Sequence, residues 1–337
     1  MLTRVLLIAW LLLLSACETL RAEVAFDWAL VGNVGNQADD TGRGAVDYVY
    51  QISKFELTNA QFVQFLNAVD PAGTNSLDLY PFEMSSDANS GLTLDNLAPA
   101  GTKYQVKPGR DIYPVFGLTY LDAVRFVNWL ENGQGEGSTE NGTYVVNNGT
   151  ISARNPHATF FIPNADEWYK AAYHQNDGVT GNYWEYPTST DQVPFSDQPP
   201  GNDAPTPTNA ANFMRDDGVA NGYNDGLAVT GNLNFDSLQN YLTPVGAYSL
   251  AISPYGTFDQ GGNVWELTDP DVGHQGGDPR GGDWFNEYKF LAASHVYDIN
   301  DNAFYVGLRV ASVPEPNTGA LVMIAALTQL IMRRRRW

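Results

Sequence analysis

Cys17 is the only cysteine in this 337-residue chain, and it lies in an apolar N-terminal leader. Whatever folds downstream does so without a disulfide, a thiolate metal site or a cysteine nucleophile. The constraint is severe because residues that interrupt regular structure are abundant, with 32 glycines and 19 prolines. Such a chain must be a loop-rich fold pinned by large side chains, and its 16 Phe, 18 Tyr and 8 Trp supply them. With 43% hydrophobic residues, the length is enough for one large domain or two ordinary ones.

Charge narrows the partners. The formal charge is −20, and the leader (Arg4, Glu18, Arg21) nets +1 while residues 317–337 net +4, which leaves −25 in the middle. That surface repels phosphate backbones, so no nucleic-acid partner is expected; it suits cations or an extracellular setting.

Both ends read as targeting segments. Residues 1–22 form a signal peptide, with Arg4 followed by the apolar run Val5 to Leu14. Leu14-Ser-Ala-Cys17 has the form of a lipobox, and cleavage near Ala22 is the alternative. Residues 313–337 open on Val313-Pro-Glu-Pro316, continue through a short apolar run from about Gly319 to Met332, and end on Arg333 to Arg336. The run is shorter than the ~20 residues of a comfortable span, and its arginines would stay cytoplasmic. This tail resembles the PEP-CTERM sorting signal. The resemblance implies transient inner-membrane anchoring, exosortase-type machinery and delivery to the cell envelope, outer surface or matrix. A simple tail anchor is the alternative.

Between the ends, residues 24–312 read as one domain. Residues 24–57 alternate in the manner of strands. Thr58 with Gln61 caps a helix whose stripe is Phe62, Phe65, Leu66 and Val69. Thr119 caps a second helix carrying Ala123, Phe126, Val127 and Leu130, and Asn164 with Glu167 a third that runs to about Tyr173. Residues 176–243 are rich in Gly, Pro, Asn, Asp and Thr, which makes that stretch either disordered or held by a ligand. In Asp259-Gln-Gly-Gly-Asn-Val-Trp-Glu266, glycines and carboxylates come together. Alone, the spacing fits a tight turn beside a buried Trp, or a loop offering carbonyls and carboxylates to a hard cation.

Four segments in order, Lys54-Phe-Glu-Leu-Thr-Asn59, Phe161-Ile-Pro-Asn-Ala-Asp-Glu-Trp168, Gly262-Asn-Val-Trp-Glu266, and Arg280-Gly-Gly-Asp-Trp284 with Gly307-Leu-Arg-Val310, resemble the formylglycine-generating enzyme, or sulfatase-modifying factor, domain. The likeness covers about residues 46–312. It implies an α+β, loop-rich domain related to the C-type lectin fold. The family includes copper oxidases, non-haem iron enzymes and binding proteins, so the fold does not decide the function. The copper cysteines of the formylglycine-forming members fall six and eleven residues after Arg280, at Asn286 and Leu291. Neither replaces the soft thiolate that copper(I) requires, so no copper is expected. His157, His174, His274 and His295 show no helical ligand spacing for iron. Phe161 stands where the family has Arg, which weakens carry-over of substrate contacts.

The resemblance also implies structural Ca²⁺ at Asp259, the carbonyls of Gly262 and Val264, and Glu266. A second site starts at Asn212 and Phe213 and ends near Asp236. Asp283, Trp284, Asn286 and His295 line the equivalent of the family cleft. The expectation is a calcium-stabilised binding or matrix protein that takes a peptide or glycan. Its alternative is an oxidoreductase of the iron or metal-independent branch. Formylglycine formation itself is chemically improbable here.

Overall fold

The computed structural model describes residues 23–270, 278–295 and 305–314. The leader, the tail from residue 315 onward, and His274 lie outside the described residues. Among those described, no helix is long and apolar enough to cross a membrane.

The helices form where the capping signals place them. Helix α1 (Asn59–Val69) starts at Thr58, whose side chain accepts from the Gln61 backbone while Gln61 returns the bond. After the short α2 (Phe82–Ser86) comes α3 (Tyr120–Glu131), capped by the Thr119–Asp122 pair. Helix α4 (Ala165–Tyr173) starts at Asn164, boxed by Glu167. Each box satisfies two N–H groups that a helix start leaves unpaired. The cap reading of Glu167 is incomplete: its carboxylate also pairs with Arg154 at 3.0 Å and accepts from the Tyr48 hydroxyl.

Helices α1 and α3 pack through aromatic rings. Phe65 meets Phe126 edge-on at 5.4 Å and Trp129 at the same distance. All three rings are buried in the largest core cluster, with Phe62, Leu66, Val127 and Leu130. Sheet content is small. Strands β1 (Trp28–Val31), β2 (Tyr50–Ser53), β3 (Phe160–Phe161) and β6 (Ala311–Ser312) make one four-stranded sheet in the order β1-β2-β6-β3. All its pairings are antiparallel, with Ala311 opposite both Ile52 and Phe161. Strands β4 (Trp265–Glu266) and β5 (Val306–Gly307) pair in parallel. The alternation at Val46–Tyr50 gives a strand only from Tyr50 onward. Val46 is instead buried in loop backbone, where its N–H and C=O bond Asn36 and Gly35.

Residues 176–243 are ordered rather than disordered. Short pairings order them, Phe195–Ser196 with Ala210–Ala211 and Met214–Asp216 with Asp225–Leu227. Buried polar side chains do the rest. Asp197 accepts from the backbones of Asp203 and Ala204 at 3.0 and 2.9 Å, and Asn224 accepts from Ser196 at 3.0 Å. The Tyr248 hydroxyl donates to the Asp197 carbonyl at 2.7 Å. Asn and Asp were signals of loop, yet here they serve as the internal partners a loop backbone needs.

Truncating Phe65 removes a fully buried ring from both helix contacts. We expect Phe65→Ala to cost about 3–5 kcal/mol in denaturant unfolding, whereas Leu97→Ala, at a 95% exposed position, shifts the midpoint negligibly.

Candidate functional site

The four motif segments converge on one buried cluster. Arg309 donates to both oxygens of Glu266, from Nε at 2.9 Å and from its terminal nitrogen at 2.7 Å. Its other donors reach the carbonyls of Ser53 (2.8 Å) and Phe258 (2.7 Å). The Trp168 indole donates to Glu266 at 2.6 Å. Backbone bonds of 2.9 Å in both directions tie Glu266 to Arg280. Asn263, with φ 61°, donates to Glu56 at 2.9 Å and accepts from Asn212 and from the Thr243 backbone. The guanidinium has a bidentate partner and two carbonyls, which is what a charge away from water requires.

The loop Asp259 to Glu266 is turned inward by left-handed backbone at Asp259 (φ 58°) and Gly262 (φ 88°). A Cβ on Gly262 would stand 2.2 Å from the Asn212 carbonyl, so only glycine fits that contact. Asp259 accepts from the Gly246 backbone at 2.5 Å. Burial pushes its carboxyl up to about 6, with the Glu266 charge adding to the rise. Glu56 is also pushed well above the usual carboxylate value, by burial and by the charges of Asp259 and Glu266, and its Oε1 is buried without a hydrogen-bond partner. Three carboxylates thus share one guanidinium, an imbalance that a further cation would relieve. Among the described residues no three His, Cys, Asp or Glu side chains could hold a metal ion by themselves. A cation here would therefore depend on backbone carbonyls such as those of Gly262 and Val264. Val264 itself is buried.

The second set comes together less well. Asn212 is buried and donates to the Tyr241 carbonyl and to Asn263; Phe213 packs in an apolar cluster. Asp236 sits on an exposed turn, where its carboxylate accepts from the Leu238 backbone.

The copper-equivalent positions differ from each other. Leu291 is fully buried against Tyr186, Ala211 and Phe213. Asn286 is half-buried and accepts from the Asp283 backbone at 2.9 Å. His157 is exposed; His174 bonds the Tyr255 hydroxyl at 2.8 Å, while His295 meets Phe290 edge to face and Trp265 at a tilt.

The anticipated cleft divides in two. His295 lines a small crevice with Tyr173, Arg280 and Phe290. Trp284 lines a separate cavity of about 370 Å³, whose other walls are Phe116, Phe235, Phe285 and Tyr305, with Glu83 and Asp87 from the end of α2. Tyr241 stacks on Trp284 at 4.5 Å and 6°. Composition hid this cavity, because Phe116, Phe235 and Tyr305 come from three separated loops. The missed hub residues Glu56 and Arg309 did carry a signal, since both lie within the quoted motif segments.

Asp283 is buried behind that wall. Burial pushes its carboxyl up to about 7, partly offset by the N–H groups of Phe285 and Asn286 and by Trp265. A raised carboxyl stabilises the fold below the unfolded value near 3.8, and that contribution is lost as pH rises through 7. We expect unfolding free energy to fall between about pH 4 and about pH 7 with this group contributing at most about 1.4 kcal/mol per pH unit. In Asp283→Asn that component of the slope should vanish in denaturant titrations run across the same window.

No curated protein matches the chain. Solved structures that align with it include CarF (17% identity, TM-score 0.47, covering 86% of this chain and 99% of that one), Treponema denticola variable protein 1 (15%, 0.44, 86% and 96%), and PvdO from Pseudomonas aeruginosa (17%, 0.41, 86% and 92%). The family model of the sulfatase-modifying factor enzyme 1-like domain matches residues 34–313. With its motifs joined in one buried hub and most of its length matched, the chain belongs to the sulfatase-modifying factor enzyme 1-like domain family.

Proposed function

We propose that this chain is a ligand-binding member of its family, stabilised by Ca²⁺ and carried to the cell envelope by its terminal segments. The observation that carries the binding role is the aromatic cavity of about 370 Å³ at Trp284. A cavity of this size with a few polar groups at its edge is what a small ligand or a side chain of a larger one occupies. The copper positions support the same reading. Asn286 and Leu291 offer no thiolate, and Leu291 fills its place with apolar packing. Peptide and glycan remain the two ligand classes expected from the sequence.

The calcium proposal rests on the inward-turned loop. Asp259 and the carbonyls of Gly262 and Val264 would hold the ion, with Glu56 as a nearby carboxylate that has an unpartnered oxygen. Bound there, Ca²⁺ would supply charge balance and loop rigidity and no chemistry. Glu266 is already engaged by Arg309 and Trp168. Replacing it would break the ion pair as well as any metal contact, so Asp259→Asn is the cleaner probe.

Metal analysis of purified protein separates the readings. Calcium alone fits the binding role; stoichiometric redox-active copper or iron, or oxidation of a thiol substrate, overturns it in favour of an oxidoreductase. For the ion itself, a chelator should lower the Tm of the unaltered domain, and Asp259→Asn should abolish that response. An identical melting curve with and without chelator sinks the calcium proposal.

A further inference from the structure

We propose that the Trp284 cavity recognises an alkylammonium group, a positive charge sheathed in methyl or methylene groups. This rests on the binding reading above and names its ligand class. Two independent features of the walls point the same way.

The first is the aromatic enclosure. Trp284, Tyr305 and Phe116 form a continuous wall, with ring centroids 5.2 Å apart for Trp284–Tyr305 and 5.1 Å for Phe116–Tyr305. Phe285 closes on Trp284 at 5.3 Å, and Phe235 faces both at 6.1 and 6.3 Å. Phe235 and Phe285 are 56% and 49% exposed, large apolar rings left to solvent at the cavity. The faces of such rings attract cations, and the attraction grows as water is removed. The alkyl sheath satisfies the apolar walls and demands no acceptor from them.

The second is charge. Glu83 and Asp87 line the same cavity. Neither is in an ion pair among the described residues. Asp87 is held in place: Asn89 donates to one oxygen from its backbone at 2.7 Å, and the Tyr305 hydroxyl to the other at 3.3 Å. Lys107 is near enough to feel the Asp87 charge. An anionic ligand would face two carboxylates, and a neutral one would leave them without an ion pair. A cation over the rings answers both, in a chain whose net charge of −20 already draws cations in.

The test uses choline against 3,3-dimethylbutan-1-ol, its uncharged isostere, followed by tryptophan fluorescence and calorimetry on the purified domain. Choline should bind about tenfold more tightly than the isostere, and its affinity should drop as salt rises from about 0.05 to about 0.5 M. Asp87→Asn should narrow the preference toward parity. Phe235→Ala, at an exposed ring whose loss leaves the Tm in place, should weaken choline by several-fold. Equal binding of both compounds overturns the cation assignment while leaving the binding role intact. Binding of neither at millimolar concentration overturns it too, and metal analysis then decides the binding role separately. Choline binding untouched by Phe235→Ala and Asp87→Asn places the ligand elsewhere and overturns the proposal.

Discussion

The structure depends on the bidentate contact between Arg309 and Glu266. As a source of net stability such a pair is modest, since removing two charges from water offsets most of their attraction. Its role is specification. Glu266 sits on β4, Arg309 between β5 and β6, and the guanidinium also reaches the backbone at the end of β2 and just before the Asp259 loop. A shift of any one of these segments would leave a buried charge without its partner, at a cost of about 3–5 kcal/mol. Strands only two residues long cannot fix a register by ladder bonds alone; the ion pair fixes it for them.

The same cluster explains how much of the fold was legible. Capped helices were readable because each carries its start signal in consecutive residues: Thr58 with Gln61, Asn164 with Glu167. The hub segments were recognisable as motifs, but spacing along the chain did not reveal that Glu56 and Asn263, 207 positions apart, would bond. Long-range side-chain pairing leaves no periodic trace. The Asp/Asn-rich stretch 176–243 was opaque for a related reason. Asp197 or Asn224 looks identical in sequence whether it faces water or a buried backbone donor, and only the fold decides which.

The candidate site shows a similar split. Of the cleft residues Asp283, Trp284, Asn286 and His295, Trp284 walls one cavity, His295 lines another crevice, and Asp283 is buried. Leu291 marks the clearest departure from the copper-cysteine pattern that the resemblance implies: a leucine buried among Tyr186, Ala211 and Phe213 offers no thiolate.

Phe235 hangs on an exposed turn, whose Asp236 backbone donates to the Tyr241 hydroxyl, whereas the ion pair is formed by Glu266 and Arg309. The ring at the mouth of the proposed binding cavity and the ion-pair residues therefore sit on separate parts of the chain. If the cavity binds as proposed, substitutions in that turn would retune what it accepts while the ion-pair frame stays constant.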